Sequence, residues 1–236
     1  MDVKNDFSYV VAMGASTGGK DSVHRILKVL NKNFSPILLV QHLPPEYISS
    51  YVSFMNRISE LDVIEAKDGD EVKRGTVLVA TGFHQMRLVK RNNKLVVSCR
   101  EEGYYKGDCP SIDILFDSVS EVMKNKSIGV VLSGTGSDGA DSIYKMRKNG
   151  AFTICQSENT SIAYEMPKNA FEIGGIVKQV DLNEIPNEIN YFIKRNEYKE
   201  SEIRRKNYNN SKFKSKVYEA GSRIKYSFAK KVPSNM

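Results

Sequence analysis

The sequence predicts an α/β fold: a doubly wound, mostly parallel sheet with helices on both faces, plus short hairpin strands and a basic C-terminal tail. Two observations predict this fold. Short, continuously apolar runs such as Pro36–Gln41 and Ile128–Leu132 alternate with longer segments of helical periodicity, which is typical of a parallel sheet buried on both faces. The chain has 236 residues, 40% of them hydrophobic, which is enough for one large domain, or for one domain plus a tail.

The predicted strands are short apolar or alternating runs bounded by turn residues: Val10–Met13, Pro36–Gln41, Val63–Ala66, Val77–Ala80, Met86–Val89, Leu95–Ser98, Ile128–Leu132, Phe152–Cys155 and Ile176–Val180. The runs between residues 63 and 98 are short and closely spaced, so we expect strands or hairpins there. The predicted helices are Lys20–Leu30, Tyr47–Ile58, Ser111–Met123, Asp141–Asn149, Ser161–Ala170 and Ile185–Phe192. Pro167 is expected to bend the fifth helix or to start it afresh.

The basic character of the chain is concentrated at its C-terminus. Residues 194–236 hold 13 Lys or Arg against four Glu, a net charge of +9, which leaves the first 193 residues at −2. We predict one domain over 1–193 and a basic, flexible tail over 194–236, because the few aliphatic residues of the tail show no sustained helical period. Such a tail suits contact with an acidic protein, a membrane or nucleic acid, and no specific nucleic acid is expected.

The composition also indicates the cellular compartment. No run approaches the roughly 18 apolar residues of a membrane span, and the polar N-terminus does not resemble a signal peptide. The three cysteines, Cys99, Cys109 and Cys155, are far apart and lack metal-ligand spacing. These observations predict a cytoplasmic protein with reduced thiols, without a metal or a cofactor.

A glycine-rich turn, Gly14–Gly19, follows the first predicted strand and carries Ser16 at its centre. The pattern fits a nucleophile elbow, in which a sharp strand-to-helix turn exposes a serine hydroxyl. It also fits most of a phosphate-binding loop, although Asp21 stands where that loop requires Ser or Thr to hold magnesium. A turn that only packs a helix against a strand is the third interpretation, and this stretch alone leaves all three open.

Three buried strands end next to groups of a hydrolytic triad. Ser16 follows the first strand, His42 follows the second, and Asp138 lies in the loop after Ile128–Leu132. Because ligands of such sheets lie beyond the carboxyl ends of the strands, we expect these three side chains to share one cleft. Histidine can take the proton of a weakly nucleophilic serine, and a carboxylate can orient the imidazole. The loop Gly134–Gly139 also matches a dinucleotide fingerprint formally, but it comes late in the chain and contains a carboxylate.

Several segments, taken together and in order, resemble the catalytic domain of the chemotaxis protein-glutamate methylesterases, the CheB family. The matching stretches are Met13–Gly19, Val40–Pro45, Pro110–Phe116, Val131–Ala140 and Gly150–Gln156, with further fits at Met166–Pro167 and Gly174–Gly175. The resemblance implies Ser16 as nucleophile, His42 as general base and Asp138 as the carboxylate that orients it. It also implies Thr17 as a second hydroxyl near the histidine, and the backbone amide of Thr135 as an oxyanion donor.

The chain departs from the family pattern in places. Thr135 stands where the family commonly has Met, Cys109 where it often has Arg, and Glu165 where it usually has Gly. Family members usually carry an N-terminal receiver domain, whereas about eight residues precede the first strand here. We therefore expect no receiver domain, and either a standalone esterase or a fragment.

The resemblance implies a serine hydrolase that demethylates glutamyl γ-methyl esters on the cytoplasmic helices of chemoreceptors, releases methanol and acts in chemotaxis adaptation. Deamidation of receptor glutamine would use the same machinery, and a separate regulatory protein is a further expected partner. Two alternatives remain. One is a nucleotide-binding protein that uses Gly14–Gly19 or Gly134–Gly139; the other is a catalytically idle adaptor, against which the intact Ser, His and Asp argue.

Overall fold

The computed structural model describes residues 6–229, and of residues 209–229 only the backbone. Its centre is a seven-stranded sheet in which every neighbouring pair is parallel. The strands of this sheet are β1 Val10–Ala15, β2 Ile37–Gln41, β3 Asp62–Glu65, β4 Thr76–Val79, β7 Ser127–Val131, β8 Phe152–Gln156 and β9 Lys178–Val180. Their order across the sheet is β3-β4-β2-β1-β7-β8-β9. The predicted α/β fold with a parallel sheet is confirmed.

The remaining two strands, β5 Gln85–Arg91 and β6 Lys94–Arg100, form an antiparallel hairpin. They are joined by Asn92 and Asn93, both at positive φ, as the tight two-residue hairpin turn requires. Of the four short strands predicted between residues 63 and 98, two therefore join the main sheet and two form a hairpin.

Within residues 6–229, six α-helices connect and flank the strands: α1 Gly19–Leu27, α2 Ile48–Ile58, α3 Ile112–Met123, α4 Ala140–Lys148, α5 Glu165–Glu172 and α6 Ile185–Ala229. Both faces of the sheet are covered. Along β1, Val10 and Ala12 join a core cluster that contains Phe116 of α3, while Val11 and Met13, which alternate with them, are also fully buried. This double burial explains why the strands are apolar throughout.

Helix α1 ends at Leu27, three residues before its predicted end, and two helices differ from their predicted bounds by more than three residues. Helix α5 begins at Glu165, later than the predicted Ser161, and Pro167 lies in its first turn, where the missing N–H of proline is tolerated. Helix α6 continues to Ala229, far beyond the predicted end at Phe192. The tail is rich in Lys, Arg and Glu, which are good helix formers without any apolar period.

The chain divides into two compact units, Met1–Phe192 and Ile193–Met236. The flexibility of the basic tail stays a prediction. None of the helices, as far as the structure describes them, combines the length and the apolar character that crossing a membrane requires.

The strand order places a possible ligand-binding position at the carboxyl end of β1. Strands β2 and β7 pair with β1 on opposite sides, with Ala15 opposite Gln41 and Gly14 opposite Val131. The chain therefore leaves β1 on one side and returns on the other, which makes this edge a topological switch point, the usual ligand position in open α/β sheets.

Candidate active site

The turn that carries Ser16 is fixed by its backbone. The Ser16 N–H donates to the carbonyl of Ser133 at 3.0 Å, which extends the β1–β7 pairing by one residue. The Ser16 carbonyl accepts from the Gly19 N–H and from the side-chain amide of Gln41, both at 2.9 Å. Gly18 takes a φ of 79°, which favours glycine and allows the sharp entry into α1. The half-buried Ser16 side chain thus stands on an elbow with little freedom to shift.

The loop after β7 packs directly against this elbow at Gly134. A Cβ atom on Gly134 would lie 2.9 Å from the Ser16 Cβ and 2.1 Å from the Met166 sulfur, closer than real contacts allow. Glycine is therefore required here, because the backbone of the β7–α4 loop must approach the serine closely.

His42 and Asp138 meet beside this elbow. The His42 N–H extends the sheet by donating to the Ala15 carbonyl at 2.9 Å, and the imidazole Nε2 lies 3.1 Å from Asp138 Oδ2. The Asp138 side chain is 7% exposed and the His42 side chain 19%. A histidine oriented by a nearly buried carboxylate is the arrangement that general-base catalysis requires.

The carboxylate of Asp138 is bound at the N-terminus of α3. The Ser111 hydroxyl and the Asp113 N–H donate to Oδ1, each at 2.9 Å, and the Ile112 N–H donates to Oδ2 at 2.6 Å. Unpaired amides and the helix dipole both favour an anion at this position. The helix N-terminus therefore holds the negative charge that orients His42.

Burial and hydrogen bonding oppose each other in setting the pKa of both groups. Burial alone would raise the pKa of Asp138, but the hydrogen bonds from His42 and from the α3 amides outweigh it, so this pKa lies below its ordinary value. Burial alone would lower the pKa of His42, but the hydrogen bond and charge of Asp138, together with the charge of Asp108, raise it overall. Asp138 thus stays ionised, and His42 becomes a stronger base.

The nitrogen of His42 left for a nucleophile is Nδ1. Because Nε2 donates to an ionised carboxylate, it carries the ring proton in the neutral imidazole, and Nδ1 is the acceptor. Within the described residues, the Ser16 hydroxyl makes no hydrogen bond to the imidazole. Catalytic hydrogen bonds are commonly long in the absence of substrate and tighten in the complex, so this geometry is compatible with proton transfer.

Thr17 and Thr135 also come together. Their hydroxyl oxygens are 3.3 Å apart, although one residue follows β1 and the other follows β7. Among the described residues, neither backbone amide donates a hydrogen bond within the protein. In a nucleophile elbow, the amide after the nucleophile is a usual oxyanion donor. The two amides are therefore available for an oxyanion beside Ser16.

A cleft of about 330 Å³ opens beside the histidine. It is lined by His42, Leu43, Pro44, Tyr104, Gly107, Asp108 and Cys109. The sequence did not predict that Asp108 lines the cleft or that Gln41 binds the Ser16 carbonyl. The signal for Gln41 was its position as the last residue of an otherwise apolar strand, and the signal for Asp108 was its place two residues before the matched stretch Pro110–Phe116.

The titratable cluster is a poor metal centre. His42, Asp108 and Asp138 offer ligand atoms within 4.8 Å of one another. However, both oxygens of Asp138 already accept hydrogen bonds from the first turn of α3. With that carboxylate engaged, two protein ligands remain, fewer than the three that catalytic zinc usually takes.

The glycine loops give nucleotide binding no support. The amides of Ser16, Gly19 and Gly134 all donate to carbonyls of the protein itself. The second loop contains the ionised Asp138, whose charge opposes a pyrophosphate. Asp21 pairs with Arg25 at 2.9 Å rather than standing open to a metal–phosphate group.

Fold and site together define an α/β protein with a Ser, a His and an Asp at adjacent strand ends. The family model described as CheB methylesterase matches residues 11–189. The chain belongs to this family, which confirms the resemblance found in the sequence.

Individual relatives agree with this assignment. A protein of Syntrophomonas wolfei named protein-glutamate methylesterase/protein-glutamine glutaminase 2 is 41% identical over 180 residues, which are 76% of this chain and 53% of the relative. A Treponema denticola protein named protein-glutamate methylesterase/protein-glutamine glutaminase is 36% identical over 78% of this chain and 50% of its own length. The chain thus spans about half the length of the curated relatives it matches.

The fold of a solved structure is also similar. The crystal structure of the Thermotoga maritima CheB methylesterase catalytic domain matches with a TM-score of 0.77 and 33% sequence identity. The match covers 79% of this chain and all of that domain. It supports the parallel sheet with helices as the fold of this family.

Proposed function

We propose that this protein is a protein-glutamate methylesterase that hydrolyses glutamyl γ-methyl esters on the cytoplasmic helices of chemoreceptors and acts in chemotaxis adaptation. The observation that carries the proposal is the His42–Asp138 pair, bound at the N-terminus of α3 beside the elbow of Ser16. Membership of the CheB methylesterase family and the names of the relatives support the same activity. Those names also include glutaminase activity, so deamidation of receptor glutamine is proposed for the same site.

In the first half of the reaction, the Ser16 hydroxyl attacks the ester carbonyl and His42 takes the serine proton at Nδ1. The carbonyl oxygen becomes an oxyanion, which the free amides of Thr17 and Thr135 stabilise. The tetrahedral intermediate then collapses: the bond to the methoxy group breaks, His42 gives its proton to that group, and methanol leaves. Asp138 stabilises the imidazolium throughout without taking the proton itself.

In the second half, water attacks the acyl group on Ser16 and gives a proton to His42. The bond to Ser16 breaks, the serine recovers its proton from His42, and a free glutamate side chain is released. Ammonia takes the place of methanol as leaving group when the substrate is glutamine. Loss of one oxyanion donor typically costs about 3–4 kcal/mol of barrier, so the two amides carry a large share of the rate.

Methanol release from a methylated receptor fragment tests the proposal, with Ser16→Ala as the matched variant. We expect release by the parent chain and release near the uncatalysed background by the variant, because the nucleophile is lost. Equal release by both proteins would refute the proposal.

The basic helix α6 provides a second element of the proposed function. The basic side chains described in its tail portion are exposed or partly exposed; they are Lys194, Arg195, Lys199, Arg204, Arg205 and Lys206. A net charge of +9 over residues 194–236 suits attachment to an acidic surface such as that of a receptor-containing membrane. A separate regulatory protein is a further proposed partner.

A further inference from the structure

The segment between β6 and α3 closes one side of the cleft with a tight turn. The Tyr105 N–H donates to the Asp108 carbonyl at 2.9 Å, and the Asp108 N–H donates back to the Tyr105 carbonyl at 3.0 Å. The two residues between them, Lys106 and Gly107, both have positive φ, as a type I′ turn requires. Asp108 therefore stands at a defined position at the end of this turn.

Side chains from other elements anchor the turn. The Lys106 ammonium lies 3.0 Å from the Asp113 carboxylate of α3 and 2.6 Å from the Asp141 carboxylate of α4. Asp113 is only 3% exposed, so this ion pair is partly buried. The side-chain amide of Gln85 donates to the Asp108 carbonyl at 3.2 Å. The ion pairs hold the turn against α3 and α4, and the Gln85 amide binds the Asp108 carbonyl directly.

The Asp108 carboxylate faces the free edge of the catalytic imidazole. Its Oδ1 lies 3.8 Å from His42 Nδ1, while Asp138 lies 3.1 Å from Nε2 on the other edge. A distance of 3.8 Å is too long for a hydrogen bond but short enough for attraction between the carboxylate and a protonated imidazole. Nδ1 is also the nitrogen that must accept the serine proton, so Asp108 and Ser16 compete for the same atom.

We propose that Asp108 is a second carboxylate partner of His42, which favours the doubly protonated imidazolium and so sets the lower pH limit at which Ser16 is activated. Asp108 is thus a positioning residue that acts through His42, and its effect on the rate rests on the proposed esterase function. This effect depends on the turn itself, because it requires Asp108 and the contacts that hold the turn in place.

The charges around the imidazole agree with this role. The charged side chains that bear most on His42 are Asp138, from the loop after β7, and Asp108, from the turn before α3; the Pro110 carbonyl adds to them. Against burial, these groups hold the pKa of His42 above its ordinary value of 6.5. Burial raises the pKa of Asp108 and the charge of His42 lowers it, while the charges of Asp138 and Asp113 raise it further. Asp113 is itself paired with Lys106, which also pairs with Asp141.

The sign of the effect follows from the base role of His42. His42 accepts the serine proton only when neutral, so a raised pKa holds the base in its inactive form up to a higher pH. Removing the charge of Asp108 favours the neutral imidazole, and the acid limb of activity moves to lower pH. At a pH low enough that most of His42 is protonated, kcat/KM rises about tenfold when the pKa of His42 falls by one pH unit.

Proton NMR titration of the full chain tests the proposal without any substrate. The chain has three histidines, and a His42→Gln variant assigns the signal of interest. In Asp108→Asn we expect the His42 midpoint to move to lower pH. Asp108→Glu restores the charge and should return the midpoint toward the parent value. An unchanged His42 midpoint in Asp108→Asn would overturn the proposal.

The matched control is Asp62→Asn, the same change at an exposed residue that begins β3, at the opposite end of the sheet strands. It should leave the His42 midpoint unchanged. The pH profile of kcat/KM, measured with EDTA present to remove stray cations, should show the same ranking of variants. Identical acid limbs for parent and Asp108→Asn would also overturn the proposal. An NMR shift without Ser16-dependent methanol release would contradict the proposed esterase function alone.

Discussion

Asp138 links the folded structure to the chemistry of the site. Its carboxylate accepts hydrogen bonds from the His42 imidazole, the Ser111 hydroxyl and the Ile112 and Asp113 amides. One buried charge therefore both satisfies the first turn of α3 and orients the proposed base. A change at this residue should affect stability and activity together.

Replacement of Asp138 by Asn tests this double role. We expect kcat to fall by about 10⁴-fold, because the amide no longer selects the imidazole tautomer with the proton on Nε2. We also expect the free energy of unfolding to fall by about 1–3 kcal/mol, because an amide group would face backbone donors. Methanol release and urea denaturation measure the two effects. The control Asp117→Asn loses an ion pair to Lys145 on the helix surface and should keep its activity.

The sequence indicated the strand ends that carry the proposed site residues, but not the groups that hold those residues in place. Ser16, His42 and Asp138 each follow an apolar strand, and parallel strands place such positions at one edge. The Asp108 carboxylate could not be predicted in the same way, because its position depends on a turn held by α3 and α4. Hydrogen bonds from a helix N-terminus to a distant loop leave no periodic signal in the sequence.

At the scale of elements, helix α3 acts as the support of the site. Ser111 is its N-cap, accepts from the Ile114 N–H at 3.4 Å, and also donates to Asp138. The Ser111 hydroxyl thus both caps the first turn of α3 and binds the carboxylate of Asp138. The sequence predicted the start of this helix within one residue, but not that its N-terminus binds the carboxylate of Asp138.

Ser111→Ala should therefore destabilise the protein by about 1 kcal/mol, the usual cost of a lost N-cap. It should lower kcat as well, though less than Asp138→Asn, because the amides of Ile112 and Asp113 still hold the carboxylate. Denaturation curves and methanol release measure both changes. Ser111→Thr keeps the hydroxyl and serves as the control; an Ala variant as active and stable as the parent would contradict this role of α3.

The loop between β7 and α4 must lie close to the turn that carries Ser16, the proposed nucleophile. We expect Gly134→Ala to displace this loop, since its new methyl group would meet the Ser16 and Met166 side chains, and to cost about 1–3 kcal/mol of stability. Activity should fall further than stability alone explains, because the elbow and the Thr135 amide move apart. Activity measured well below the melting temperature separates the two effects, and full activity there would contradict the close approach.

At the scale of the whole molecule, the unit that contains the proposed site and the basic tail have different physical characters. The unit Met1–Phe192 contains the sheet and every proposed site residue, whereas Ile193–Met236 carries a strong positive charge. The sequence predicted this division of charge directly from composition. It did not predict the length of α6, because charged helix formers produce no apolar period.

Deletion of residues 196–236 tests the tail. We expect weaker association with receptor-containing vesicles at low salt, and unchanged hydrolysis of a soluble ester, because the proposed site lies in the first unit. Vesicle sedimentation measures the association. The full chain at high salt provides the comparison, since screening should reproduce the effect of the deletion. Equal association of the two proteins at low salt would refute the tether.

The central claim is that Ser16 is a nucleophile activated by His42. Labelling with a serine-directed organophosphorus reagent, followed by peptide mass spectrometry, tests it most directly. We expect one adduct on Ser16 in the parent chain, a much slower reaction in His42→Ala, and none at this position in Ser16→Ala. A folded parent chain that remains unlabelled at Ser16, or labelling that does not depend on His42, would contradict it.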